Sequence, residues 1–174
     1  MKKVIVAGFV GGIILFFWGF LAWTVLPLHT QNSNAMNNED AVIAAMKTGM
    51  DKKAVYFFPA MPQTGMSMTD EQKAAHAVWE AKYTRGPVGM VIYDPAGTSP
   101  MMPGQMIVGF INGVLSAMLA AWLLSRSTAA SSTYFSRVAF CGALGIFASL
   151  VTHVVSWNWM GYPIGYTTGL ITDA

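Results

Sequence analysis

Residues 2–26 read KKVIVAGFVGGIILFFWGFLAWTVL. After the two lysines, the 23 residues from Val4 to Leu26 carry no charge. A helix of about 20 apolar residues crosses the hydrocarbon core of a bilayer, so this run is long enough to span one. It is longer than the apolar core of a secretory signal peptide, about 7–15 residues, and no convincing small-x-small cleavage site follows it. Residues 1–26 therefore read as an uncleaved membrane anchor, and that reading sets the class of the chain. Two further runs repeat the pattern: Met106–Ser125 with 20 residues and Val138–Ser156 with 19.

The composition agrees. Charged residues make up 10 % of the 174 and apolar residues 54 %, with a mean hydropathy of +0.46. A soluble domain carries about 25 % charged residues, and contact with lipid explains the deficit. The formal net charge of +2 is small and dispersed, and no basic stripe with interleaved aromatics is present. These features exclude a nucleic-acid surface. The lone Cys141 has no partner for an internal disulfide and reads as a small buried apolar side chain.

Charge fixes the expected orientation. Lys2, Lys3, Arg126 and Arg137 flank the runs on one side. Glu39, Asp40, Asp51, Asp70, Glu71, Glu80, Asp94 and Asp173 all fall on the other. The positive-inside rule puts the N-terminus and the 126–137 loop in the cytoplasm, and residues 27–105 in the periplasm of a bacterial inner-membrane protein. Trp18, Trp23, Trp157, Trp159 and Tyr162 then mark the outer interface and Trp122 the inner one. The expected fold is a membrane α-helical bundle with spans at 1–26, 106–125 and 138–156, and a small α/β extracytoplasmic segment between the first two. Residues 157–174 form an outer interfacial turn around Pro163 and Gly165. Tyr166–Ala174 reads as the start of a fourth helix continuing past this sequence, the alternative being a short interfacial helix.

The outer segment has its own pattern. Residues 30–38 form a polar linker. Asn38 reads as the cap of a helix over Glu39–Lys47, with Gly49 just beyond its end. Ala54–Phe58 reads as a strand closed by Pro59. Thr69 and Gln72 have the spacing of a capping box for a helix running to about Thr84 and stopped by Gly86-Pro87. Val88–Tyr93 reads as a second strand. Direct pairing of two strands across a long helix predicts a parallel crossover. Two strands are too few to be stable alone, so the segment must lean on something else.

Chemistry-bearing residues are few. An ionisable group inside a span is a functional hypothesis by default, which singles out His153. Helical spacing puts it on one face with Ser149 and Ser156, with Gly142 and Gly145 one or two turns below. Thr24, Asn112 and Ser116 lie at a depth to reach it. A neutral histidine bonded between helices is the plain reading; a proton relay, a haem or metal ligand, or a quinone contact are the functional ones. His29, His76 and His153 all lie outside or near the outer surface. The thirteen methionines include Met66, Met68, Met101, Met102 and Met106. Thioethers with imidazole suit Cu(I), so His29, His76, His153, Met66 and Met68 are candidate ligands for copper, and His153 for haem. Met also fills irregular apolar gaps, and no His-x-His or Cys-x-x-Cys pair is present.

Small residues carry a clearer signal. Gly109, Gly113, Ala117 and Ala121 recur every four residues, as do Gly8 and Gly12, with Gly142 and Gly145 in the third run. Such faces let helices approach closely in a membrane. No Gly-rich phosphate loop, Gly-x-Ser-x-Gly elbow or His-Glu-x-x-His motif occurs. His76 and Glu80 sit one turn apart, the spacing of a solvated face pair.

GGIILFFWGFLAWTVLPLH (11–29), AVYFFP (54–59) and WNWMGYPIGYTTGLITDA (157–174) resemble a family of bacterial four-helix inner-membrane proteins with no assigned activity. The resemblance implies a tail that enters a fourth helix and supplies no function. The expectation from the residues is a non-catalytic accessory or assembly subunit of a larger membrane complex, respiratory or photosynthetic in type, whose partners are lipid and other membrane subunits. The alternatives are a metal- or haem-linked protein at the periplasmic face and a small transporter or lipid-handling protein.

Overall fold

The computed structural model describes residues 1–26, 28–29, 33–63, 65, 67–100 and 102–173. Met66, Met101 and part of the 30–38 linker lie outside the described residues. The chain divides into two compact units, one formed by residues 1–34 and 99–174 and the other by 35–98.

The first unit is helical. Helix α1 (Lys2–Phe20) continues through a π-helical turn at Leu21–Val25. Helix α4 is Pro103–Ser125, with proline at its first position, where the missing N–H costs nothing. A short α5 (Thr128–Ser131) leads to α6 (Tyr134–Ser149), a second π turn at Leu150–Val154, and α7 (Val155–Met160). Gly161 at φ 69° ends that helix in the left-handed conformation that glycine tolerates. Helix α8 (Ile164–Ile171) follows. Three continuous helices, Lys2–Val25, Pro103–Ser125 and Tyr134–Met160, are long and apolar enough to cross a membrane. Helix α8 has 8 residues, about 12 Å at 1.5 Å per residue, and is far short of a span.

Helices α1 and α4 run antiparallel. Gly8 meets Met118, Gly11 meets Ala117, Gly12 meets Val114, and the Phe16 ring meets Phe110 edge-on at 5.7 Å. A Cβ on Gly12 would lie 2.7 Å from Val114 Cα, and one on Gly8 2.9 Å from Met118 Cα. These backbones approach so closely that any side chain at either glycine would collide with the other helix. Gly113 takes part, with Gly12 O 3.6 Å from where its Cβ would stand. Gly109 and Gly142 have nothing within 4 Å of that position. The contact on α4 follows Val114, Ala117 and Met118, so the predicted stripe is only partly at the interface. Cys141, read as buried, is exposed on α6.

The second unit contains α2 (Glu39–Gly49), β1 (Ala54–Phe58), α3 (Asp70–Arg85) and β2 (Gly89–Tyr93). The Thr69–Gln72 capping box forms in both directions: Thr69 N–H donates to Gln72 Oε1 at 2.9 Å, and Gln72 N–H donates to Thr69 Oγ1 at 3.3 Å. Asn38 precedes α2 in a left-handed conformation, and its side chain makes no cap bond.

The strands pair antiparallel, with Ala54 opposite Tyr93 and Phe58 opposite Gly89, which corrects the expected parallel crossover. The reason lies in the connection. The crossover expectation assumes short links on both sides of the helix. Here Phe58, the last residue of β1, lies opposite Gly89, the first of β2, so the excursion through α3 closes on the end of β1 it left. Trp79 Nε1–H in mid-α3 donates to Pro59 O at 3.1 Å and ties the helix to the residue that follows β1.

No described residue between 35 and 98 is buried. Lys53 and Asp94 form an ion pair at 2.6 Å. The Lys53 ammonium, with help from the Ala96 N–H, holds the Asp94 carboxyl below the usual carboxylate range. A depressed carboxyl contributes stability above that range and loses it as pH falls through the lowered value. For so exposed a pair the contribution is small.

Candidate functional site

The end of α1 has a local structure that its sequence enforces. In the π turn, Leu26 N–H donates to Leu21 O at 2.8 Å. The next carbonyl, Ala22 O, would accept from residue 26 or 27. Leu26 is already committed, and residue 27 is a proline with no N–H to give. Ala22 is fully buried, and a buried acceptor without a donor costs about 1–3 kcal/mol. His29 supplies the donor, with Nδ1 3.3 Å from Ala22 O. A carbonyl oxygen can only accept, so Nδ1 carries the N–H.

The other ring nitrogen, Nε2, lies 3.0 Å from Asp173 Oδ2, joining positions 144 residues apart. One proton occupies this contact, donated either by an imidazolium to the carboxylate or by the carboxylic acid to the ring. The imidazole also stacks on Trp23, with centroids 4.0 Å apart and planes within 10°. His29 is 2 % exposed. A ring held at both nitrogens and across one face has a single orientation.

Helix α8 brings Asp173 to this point. Thr167, also 2 % exposed, faces inward. A Cβ on Gly169 would lie 2.7 Å from Leu28 O, so glycine is what lets α8 sit against the Leu28–His29 turn. Trp18 Nε1–H donates to Thr172 O at 2.9 Å. That carbonyl is one of those a helix C-terminus leaves unpaired. Two tryptophans expected only to anchor the chain in lipid thus hold side chains and backbone of the chain itself. Trp18 does so through its N–H and Trp23 through its ring face. Asp173 Oδ1 is buried and has no hydrogen-bond partner among the described residues.

The arrangement is a clasp between the C-terminal end of α1 and α8. Both His29 nitrogens are engaged, so this histidine has no lone pair free for copper or haem iron as it stands. Sequence reasoning named His29 and Asp173 separately and did not pair them. A signal was present: Asp173 is the single acid in residues 1–34 and 99–174, set in an apolar tail.

The remaining expected residues do not converge. His153 lies in the π turn Leu150–Val154, half-buried, with no hydrogen bond to its ring among the described residues. Thr24 Oγ1–H donates to Phe20 O in its own helix, and Ser156 Oγ–H to Thr152 O at 2.8 Å. Asn112 and Ser116 are on the exposed side of α4. Ser149 is buried and lines, with Cys141, Gly142, Gly145 and Ile171, an open groove of about 380 Å³. His76, in the other unit, rests against Trp79 with ring centroids 5.1 Å apart. Met68 is exposed. No three His, Cys, Asp or Glu side chains gather in a metal-binding group among the described residues. Trp122, Trp157 and Trp159 are exposed, Trp159 most of all at 77 %, and Tyr162 packs edge-on against Tyr166. Comparison of the chain with protein-family models, with curated proteins and with solved structures finds no match.

Proposed function

We propose that this chain is a bacterial inner-membrane protein, with a cytoplasmic N-terminus and residues 27–105 in the periplasm, that serves as a non-catalytic accessory or assembly subunit of a larger membrane complex. The observation carrying this reading is the openness of its apolar helices. In the most apolar stretch of Pro103–Ser125 no residue is buried within the chain, and in Tyr134–Met160 almost none is. Surface of this kind is covered by lipid or by other helices. The groove at Gly142, Gly145 and Ser149 favours helices, because small residues mark where membrane helices meet. The clasp supports a structural role, since it uses up both His29 nitrogens in holding α8. The resemblance of both ends to a four-helix inner-membrane family belongs to the same proposal.

The test is purification from native membranes in mild detergent with mass spectrometry of what accompanies the chain. The expected result is a partner at fixed stoichiometry that is lost in Gly142→Leu/Gly145→Leu and kept in Gly109→Leu. A chain that purifies alone, or a partner indifferent to the groove, overturns the reading.

A further inference from the structure

At the opposite end of the α1–α4 pair from the clasp, residues of both helices line a cleft of about 490 Å³. This is within the range of ligand sites, about 300–1,000 Å³. Val4 and Ile5 of α1 and Met118 and Leu119 of α4 form its apolar walls. Trp122 and Arg126 line it toward the 126–137 loop. Among the described residues neither the Trp122 indole N–H nor the Arg126 guanidinium has a hydrogen-bond or ion-pair partner. Arg137, the other arginine of this unit, is by contrast engaged, its Nε–H donating to Ser131 O at 3.0 Å. The charge here is one-sided. Lys2, Lys3, Arg126 and Arg137 are the lysine and arginine side chains of this unit, and its single acidic side chain, Asp173, is at the clasp.

An occupant of this cleft must combine an apolar chain with an anionic head rich in acceptors. We infer that the cleft binds one anionic phospholipid of the surrounding leaflet. Its acyl chain lies between Val4, Ile5, Met118 and Leu119, and its phosphodiester accepts from Arg126 and from Trp122 Nε1–H. Guanidinium suits phosphate because its planar fork offers parallel donors. Basic pockets between membrane helices on the cytoplasmic side take anionic headgroups on the same grounds. This inference rests on the membrane reading proposed above.

The test uses the full chain in nanodiscs of phosphatidylcholine containing about one-tenth phosphatidylglycerol. After transfer to detergent, retained lipid is counted by native mass spectrometry. The wild type should keep one phosphatidylglycerol in preference to phosphatidylcholine. Arg126→Gln should weaken that preference about tenfold, the size of one charge-assisted hydrogen bond. Trp122→Phe, which keeps the ring and removes the N–H, should weaken it less. Arg137→Gln removes the same formal charge and should leave the preference unchanged. Equal retention of the two lipids, equal loss in the two arginine variants, or displacement of the lipid by inorganic phosphate alone would overturn the inference. Failure of the membrane reading has a different signature: alkaline carbonate would release the chain from native membranes, and no lipid of either kind would be retained.

Discussion

His29→Ala should lower the stability of the detergent-solubilised protein by about 3 kcal/mol and free α8 from the end of α1. The substitution removes the His29 donor to Ala22 O, takes away the imidazole that Asp173 pairs with, and opens a gap beside Trp23. Removing one partner of a buried pair costs about 3–5 kcal/mol. The lower figure applies because the Asp173 side chain keeps 31 % of its exposure. Asp173→Asn should be far milder, about 1 kcal/mol, since an amide can still give or accept a hydrogen bond at Nε2. The ordering is what distinguishes a clasp from ordinary packing. Thermal unfolding gives the stabilities. Release of α8 is read by maleimide labelling of Thr167→Cys in a Cys141→Ser background, because Thr167 is 2 % exposed when docked. Protection in the parent and rapid labelling with His29→Ala are expected. Variants within about 0.5 kcal/mol of the parent, the usual range for inconsequential surface changes, would remove the clasp from the account.

Gly12→Leu should disrupt the α1–α4 pair, at a cost of about 3 kcal/mol or outright loss of the folded protein. A Cβ at position 12 would meet the Val114 backbone, with Cα at 2.7 Å and N at 2.8 Å. A side chain can turn aside; a helix backbone can move only by separating the helices. Overpacking of a fitted contact costs about 1–3 kcal/mol, and contacts to backbone belong at the upper end. Gly109→Leu is the control. Nothing lies within 4 Å of its Cβ position, and leucine favours a helix over glycine, so its effect should be near zero or slightly stabilising. Thermal unfolding of the two variants side by side decides the matter. Equal losses would mean that the close approach at Gly12 is not what joins these helices.

These two glycines also indicate what the sequence could convey. Gly109, Gly113, Ala117 and Ala121 form a regular stripe by spacing alone, yet the contact with α1 follows Gly113, Val114, Ala117 and Met118. Period identifies a face, and the partner helix decides which part of that face it uses. The three long apolar helices were legible because an unbroken charge-free run is a local property. The helices extend three or four residues beyond the expected ends where Pro103, Tyr134 and Met160 allow it.

Long-range pairing was not legible in the same way. His153 drew attention because it interrupts an apolar run, whereas the histidine that is bonded at both nitrogens is His29, outside any run. Its partner lies 144 residues away and belongs to no motif. The strand pair failed for a related reason: the direction of β2 depends on which end of β1 the connection through α3 returns to, and residue types do not encode that. Beside the lone acid Asp173, Pro27 was a local clue, because a proline just past a helix end leaves a carbonyl that some other group must satisfy.

The membrane reading underlies both the proposed function and the lipid site, and cysteine accessibility tests it most directly. Ser67 and Ser132 are both exposed, one in the segment proposed to be periplasmic and one in the loop proposed to be cytoplasmic. Each is replaced by cysteine in a Cys141→Ser background and treated in intact cells with a membrane-impermeant maleimide. Ser67→Cys should label at once and Ser132→Cys only after permeabilisation. Equal labelling of both in intact cells, or the reverse order, would contradict the membrane reading.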